Sequence, residues 1–366
     1  MRVAIVNLTG GGMSGGYRKY LQELVPRLRS SAEVSWIGIA VPPSVQLPSV
    51  EEELIARWPA GRFSSVNRWL QNWAASVRPD VVFIPTARWI SFNAPTVVMI
   101  RNMEPLIVPF DGNPLPERGR NLFRARAART ACLRATRVIA VSDFVRSFLE
   151  ERWKLDRSKL GVVYHGVTVP ADGEVPKSPA VASLAGRPFL FTAGSIRPAR
   201  GLEDVISAIG ELDNSISLVV AGGVDPGMAG YSQELKRLAQ EAGVSHRIDW
   251  IGALSASDMQ WCYRNAAAFV MTTRTEACPN IALEAMANGA LTVSTDDPPM
   301  PEMFGDTALY YEARRPESLA RSLGTILSSS GEERHDRSDR AVARAQQFDW
   351  DRCAVQTLEQ LKIAAH

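Results

Sequence analysis

Two glutamates separated by seven residues, Glu276 and Glu284, stand in a stretch that also carries the marks of a helix start and a helix stop: TRTEACPNIALEAMANGA, residues 273–290. Proline suits the first helical position, where its missing amide hydrogen would have no intrahelical partner, so Pro279 reads as the first residue of a helix. Gly289 reads as its end, because glycine accepts the left-handed backbone that follows a last turn. Glu276 then lies in the loop before the helix and Glu284 in its first turns. The amides of Asn280, Ile281 and Ala282 would face outward with no helical acceptor, and Pro279 has none to offer. Carboxylates suit the hydroxyls of a sugar, and a helix start suits phosphate oxygens. The same residues also fit an ordinary capped helix with exposed glutamates, and the stretch alone favours neither.

A second stretch, FTAGSIRPARGLED (residues 191–204), leaves a buried apolar run and enters a helical one. Arg197 and Arg200 flank a proline-fixed turn beside Gly194 and Ser195. Two guanidiniums at the carboxyl edge of a sheet suit a diphosphate; a solvated basic loop is the plainer alternative. A third stretch, GGGMSGG (residues 10–16), sits between the first strand and the first helix. Gly10, Gly12 and Gly15 match a dinucleotide-binding spacing, yet the second strand ends WIGIAVP without the acid that a nicotinamide dinucleotide site requires. A glycine loop facing some other ligand is the better reading.

These stretches need a frame, and the chain supplies one. Apolar runs near residues 2–8, 34–41, 81–84, 96–100, 138–141 and 162–163 alternate with helical periodicity such as Tyr20, Leu21, Leu24, Val25 and Leu28. A second series follows at 189–193, 217–221, 247–251, 267–271 and 291–294. Strands separated by helices imply a parallel, doubly wound sheet in each half. The expected organisation is an α/β protein with a domain over 1–168, a proline-rich linker over 169–188, a second domain over 189–350 and a final helix, 351–366, returning to the first. The tail from Glu333 reads as two helices broken around Phe348-Asp349-Trp350.

Composition narrows the function. Among 366 residues, 46% are apolar and 22% charged, and the formal net charge of +2 gives no field directed at nucleic acid. The four cysteines (Cys132, Cys262, Cys278 and Cys353) are far apart, which argues against a disulfide framework or a zinc site and agrees with a reducing cytosol. No apolar run is long enough to span a bilayer. One segment stands out: ERGRNLFRARAARTACLRATR, residues 117–137, has seven arginines and one acid. Leu122, Ala125, Arg129 and Cys132 follow helical spacing, so its apolar stripe is interrupted. It is either a solvated arginine face packed on its alanines or a dock for an anionic membrane or a lipid diphosphate.

EACPNIALEAMANGALTVST resembles the two-glutamate signature of the family 4 retaining glycosyltransferases. AVSDFVRSFLEE with VVYHGV, AGSIRPARGLEDVISAI, RIDWIGALSASDMQWCYRNAAAFVMTT and MPEMFGDTALYY are similar, in order, to the segments around it. The resemblance implies the GT-B arrangement, two Rossmann-like domains with an interdomain cleft and the donor on the second. It implies that Glu276 contacts the donor sugar, Glu284 the ribose and Arg200 the diphosphate, with Arg197 adding charge. Ser195 stands where many members have arginine. Gly15 and Gly16 match the glycine pair of the first helix, and Ala253 and Leu254 would lie near the base. Many members place a histidine after the strand that here reads TVVMI; this chain continues Arg101-Asn102-Met103-Glu104-Pro105, so Arg101 and Asn102 are the candidates for sugar or acceptor contact. His165 is read as structural.

The reaction so implied is retaining transfer of a hexose from a UDP- or GDP-sugar to a saccharide or lipid-linked saccharide, in exopolysaccharide or O-antigen assembly. It would run in the cytoplasm, with peripheral contact at the inner face of the membrane, and with Arg197, Arg200 and helix amides standing where other folds use a metal. No metal or cofactor and no nucleic-acid partner is expected. The rival readings are an epimerase on the same fold, a non-catalytic sugar-nucleotide-binding protein and, weakly, a NAD oxidoreductase.

Overall fold

The computed structural model describes residues 1–8, 15–61, 63–171, 173 and 178–366. Gly10 and Gly12 of the glycine-rich stretch, and residues 172 and 174–177 of the proline-rich stretch, lie outside the described residues. The chain divides into two compact units: Met1–Met103 with Leu122–Gly166 and Asp349–His366, and Glu104–Asn121 with Val167–Phe348.

The first unit is built on strands β1 (Arg2–Val6), β2 (Trp36–Val41), β3 (Ile55–Arg57), β4 (Val81–Ile84), β5 (Thr96–Ile100), β6 (Arg137–Ala140) and β7 (Leu160–Val162). They form one seven-stranded sheet in the order β3-β2-β1-β4-β5-β6-β7, and every pairing is parallel. Val81–Ile84 and Thr96–Ile100 are buried throughout, as befits strands covered on both faces. The sequence analysis missed β3 and the helix Phe63–Val77. β3 is a half-buried edge strand of three residues, with Arg57 paired to Glu52, so it carries no apolar run to betray it.

The second unit repeats the design with β8 (Phe189–Ala193), β9 (Ser217–Ala221), β10 (Ile248–Gly252), β11 (Ala268–Met271), β12 (Thr292–Thr295) and β13 (Ala308–Tyr311). Its order is β10-β9-β8-β11-β12-β13, again all parallel. Leu190, Leu218, Val220, Val270 and Val293 of the sheet pack with Val205, Ile206, Ile209, Leu319 and Leu323 of the covering helices. In both sheets the order reverses beside the first strand, between β1 and β4 and between β8 and β11. Such a reversal leaves a crevice outside the carboxyl ends, where ligands of open α/β sheets bind.

Two boundaries and one buried face differ from the expectation. Residues 104–121 cluster with the second unit rather than the first, because Glu104 and Glu117 pair with Arg197 and Asp111 with Arg314. Residues 178–188 are more than a linker: Ser178 caps the short helix Pro179–Ala182, and Val181 and Leu184 are buried. The arginine-rich helix, Leu115–Arg134, buries Glu117, Asn121, Ala128, Ala131 and Cys132, whereas Leu122 and Arg129 are exposed. Its buried stripe therefore keeps Cys132 of the one read in the sequence, with Ala125 half-buried, and replaces Leu122 and Arg129 by Asn121 and Ala128.

The tail forms the helices Gly331–Ala345 and Trp350–Ala365. Asp349 caps the latter by accepting from the amides of Asp351 and Arg352 at 2.6 and 3.3 Å. That helix belongs to the first unit. Asp351 pairs there with Arg27 at 2.6 Å, and Gln360 accepts from Arg137 at 2.6 and 2.9 Å. All four cysteines are buried thiols outside any disulfide. Among the described residues, no helix is long and apolar enough to cross a membrane.

Candidate active site

The loops that leave β8 and β11 flank the reversal point of the second sheet, and each carries one member of an ion pair. Pro198–Arg200 forms a single 3-10 turn after Arg197. From it the Arg200 side chain folds back across Gly194, whose φ is +122°. A β-carbon at Gly194 would stand 2.8 Å from Arg200 Nε and 2.9 Å from Cζ, so only glycine admits this path. The Arg200 guanidinium meets the Glu276 carboxylate, and both side chains keep about a fifth of their surface open, 22% and 21%. The guanidinium expected for diphosphate and the carboxylate expected for sugar hydroxyls are thus neighbours. Ser195 is half-buried in the same loop.

The signature helix runs Asn280–Ala287 with Glu284 on it. Two details correct the sequence analysis. Pro279 is the N-cap residue, with φ −76° and ψ 115°, rather than the first helical residue. The Ala282 amide is not open: it donates to the Pro279 carbonyl at 3.1 Å, and the residue is fully buried. The helix start therefore offers Asn280 and Ile281, both half-exposed. Glu284 has Tyr263 beneath it. Burial, with the Glu284 carboxylate beside it, pushes that phenol well above its ordinary range, so it stays protonated. Past β10, Ala253 is exposed and Leu254 half-buried. Gly252, just before them, accepts from the Gly222 amide at 2.7 Å.

Arg197 departs from the expectation. Its guanidinium lies 3.1 Å from Glu104 and 3.7 Å from Glu117, so its charge is already met by two carboxylates. Burial pushes the Glu104 carboxyl above the usual range, against the pull of Arg197 and of the Asn113 amide. In this structure Arg200, not Arg197, is the arginine that stands with Glu276.

The candidates of the first unit form a separate group. Gly15 and Gly16 open the helix Gly15–Ser30. Arg101, after β5, donates to the Gly16 carbonyl and to His165 Nε2, each at 3.3 Å. Its guanidinium lies over the rings of Tyr17 and Tyr20, 4.7 and 4.6 Å from their centroids. Cation–π contacts of this kind are strong where water is excluded, and both tyrosines are buried. Burial raises both phenols above the ordinary range. Asn102 is exposed beside this cage. His165 is buried behind Arg101, as its structural reading expects.

Sequence reasoning gave no site role to Asp204, Arg274, Glu104, Glu117, Tyr17 or Tyr20. Of these, only the tyrosines left a signal: Tyr20 is the first residue of the first helical stripe, and Tyr17 lies three residues before it.

Two doubly wound parallel sheets, each reversing beside its first strand, define a pair of Rossmann-like halves, and the second presents arginine, carboxylate and helix-start amides at its crevice. The chain belongs to the group 1, family 4 glycosyltransferases. A model described as "Glycosyltransferase Family 4" matches residues 14–169 and one described as "Glycosyl transferases group 1" matches residues 177–344. It is 24% identical over 407 residues to a D-inositol 3-phosphate glycosyltransferase of Streptomyces scabiei, covering 98% of this chain and 88% of that one. It is 24% identical over 240 residues to O-antigen chain mannosyltransferase B of Escherichia coli, covering 62% of this chain and 60% of that one. Among solved structures, Anabaena HepE in complex with UDP-glucose superposes with a TM-score of 0.79 at 16% identity, over 99% of this chain and 100% of that chain. The fold is that of GT-B glycosyltransferases, and the chain is a glycosyltransferase.

Proposed function

We propose that this glycosyltransferase moves a hexose from a UDP- or GDP-sugar to a saccharide or lipid-linked saccharide with retention of anomeric configuration, in exopolysaccharide or O-antigen assembly. The observation that carries the reading is the Arg200–Glu276 pair at the reversal point of the second sheet, beside the open start of the helix that bears Glu284. In the reaction the bond from the sugar's anomeric carbon to the diphosphate breaks, and the acceptor oxygen bonds to that carbon from the same face. The acceptor proton passes to the leaving phosphate. Negative charge grows on that phosphate, and fixed positive groups are the most effective stabilisers of such charge. Arg200 and the amides of Asn280 and Ile281 take this role, so no resident metal is invoked. Glu276 orients the sugar hydroxyls, Glu284 the ribose, and Ala253 and Leu254 border the base. Gly15, Gly16, Arg101 and Asn102 serve the sugar or acceptor. HepE's complex with UDP-glucose and the O-antigen relative support the donor class and the setting.

Membrane contact at the cytoplasmic face belongs to the same reading. On the helix Leu115–Arg134, Leu115 is 79% and Phe123 72% exposed, and Leu122 and Leu133 are exposed with them. Arg126, Arg129 and Arg134 share that face. Apolar side chains among arginines suit the boundary of an anionic bilayer.

Two experiments test the proposal. Nucleotide release from α-linked UDP- and GDP-hexoses with saccharide acceptors, followed by NMR of the product, should give an α-linked product; a β-linked one would contradict retention. In flotation, the protein should rise with phosphatidylglycerol vesicles and not with phosphatidylcholine vesicles. Losing a buried aromatic ring costs about 1.5–3 kcal/mol, so Phe123→Asp should weaken that partition about tenfold or more. Equal behaviour with both lipids would remove the membrane contact.

A further inference from the structure

The loops after β8 and β11 are joined by two arginine–carboxylate pairs running in opposite directions. Arg200 of the first loop reaches Glu276 of the second. Arg274 of the second reaches back to Asp204, in the first turn of the helix Leu202–Ala208 that continues the first loop. This returning pair is closed from solvent, with side chains 8% and 4% exposed. Arg274 Nη1 and Nη2 donate to the two Asp204 oxygens at 2.6 and 2.7 Å. Asp204 Oδ2 also accepts from the Tyr311 hydroxyl at 2.9 Å and the Arg314 amide at 3.0 Å.

Between the two pairs the backbones are laced together. The Arg274 amide donates to the Ala199 carbonyl at 2.8 Å. The hydroxyls of Thr272 and Thr273 donate to the carbonyls of Arg200 and Ala199 at 2.7 and 3.0 Å. Gly201, with φ +61°, lets the strands of this lacing close: a β-carbon there would stand 2.3 Å from the Thr272 carbonyl and 2.8 Å from the Arg274 guanidinium.

A buried ion pair adds little net stability over an apolar replacement of equal volume. What a two-point arginine–carboxylate contact adds is direction. We propose that Arg274 and Asp204 are positioning residues for sugar transfer. They hold residues 272–276 against 199–201, so that Arg200 and Glu276 keep the spacing at which one receives the diphosphate and the other the donor sugar. This rests on the function proposed above, and it assigns the work of alignment to a pair that touches no substrate.

The test is calorimetric titration of UDP and of GDP into the wild type, Arg274→Lys and Thr272→Val, with thermal unfolding of each recorded in parallel. Lysine keeps the charge and loses the two-point fork. Wild type binds one of the two nucleotides. Arg274→Lys, folded at the titration temperature, binds it about tenfold or more weakly, as expected if one charge-assisted bond from Arg200 is lost. Thr272→Val shifts the same way by up to about fivefold, the value of one neutral hydrogen bond. A lower unfolding temperature with unchanged affinity in the folded variants overturns the proposal, since a purely structural pair would act on stability alone. If Arg274→Lys does not fold, the affinity of Thr272→Val decides. Wild type that binds neither nucleotide contradicts the functional reading instead.

Discussion

Replacing Arg200 by methionine lowers kcat for sugar transfer about 100- to 1000-fold, the usual cost of removing one fixed donor from charge that develops in a transition state. Methionine keeps most of the aliphatic stem and deletes the guanidinium, whose Nε and Cζ lie across Gly194. The partner left behind, Glu276, is 21% exposed, so water can solvate its carboxylate. Pairs of this openness contribute about 0–1 kcal/mol to stability, and the variant should unfold within a few degrees of the wild type. Steady-state release of nucleotide, beside a melting curve, separates the two effects. A kcat within a few-fold of wild type would remove Arg200 from the chemistry and leave the pair with Glu276 as a loop contact.

The second large effect is on stability. Asp204→Ala strips the partners from a buried guanidinium, from the Tyr311 hydroxyl and from the Arg314 amide at once. Breaking a buried pair by removing one side costs about 3–5 kcal/mol, because the other charge stays behind uncompensated. For a unit of this size that corresponds to a fall of about 6–20 °C in Tm. Glu203 is the nearest substitute, 3.9 Å from Arg274, but its carboxylate already accepts from the Tyr231 hydroxyl at 2.8 Å. Asp204→Asn, which retains one acceptor oxygen, should lose less. Urea unfolding measures both. A loss below about 1 kcal/mol for the alanine variant would mean that Arg274 finds another partner or water.

The unevenness of what the sequence disclosed has physical causes. Glu276 and Glu284 were legible because a strand, a loop and a helix start follow one another within a single stretch, and Arg200 because it closes the equivalent loop after β8. Parallel strands covered on both faces are continuous apolar runs, so most of both sheets could be read. β3 and β13 were not read: β3 is three half-buried residues with an arginine at its end, and β13, Ala308–Tyr311, is only half-buried at its two middle residues. The pair Arg274–Asp204 was invisible for another reason: its partners are 70 residues apart and meet only because β11 lies beside β8. The partners of Arg197 were hidden by the same logic. Its partners Glu104 and Glu117 come from the first third of the chain, and no local pattern announces them. The helix Leu115–Arg134 misled through composition. Its buried stripe uses Glu117 and Asn121, polar residues that Arg197 and the Pro109 carbonyl satisfy, while Leu122 and Phe123 face outward. A stripe drawn from residue types alone therefore shares Ala125 and Cys132 with the buried one but puts Leu122 and Arg129 where Asn121 and Ala128 lie.

The central claim is that the second unit binds a nucleoside diphosphate through Arg200, and the most direct measurement is thermal unfolding of wild type and Arg200→Met with UDP, GDP, ADP, their sugar conjugates and NAD. A ligand at a hundred times its Kd stabilises by about 2.7 kcal/mol, which a melting curve resolves easily. The account predicts a shift with UDP or GDP and the matching sugar conjugate, and its loss in Arg200→Met at the same ligand concentration. A shift with NAD alone, or a nucleoside diphosphate shift undiminished in Arg200→Met, would contradict it.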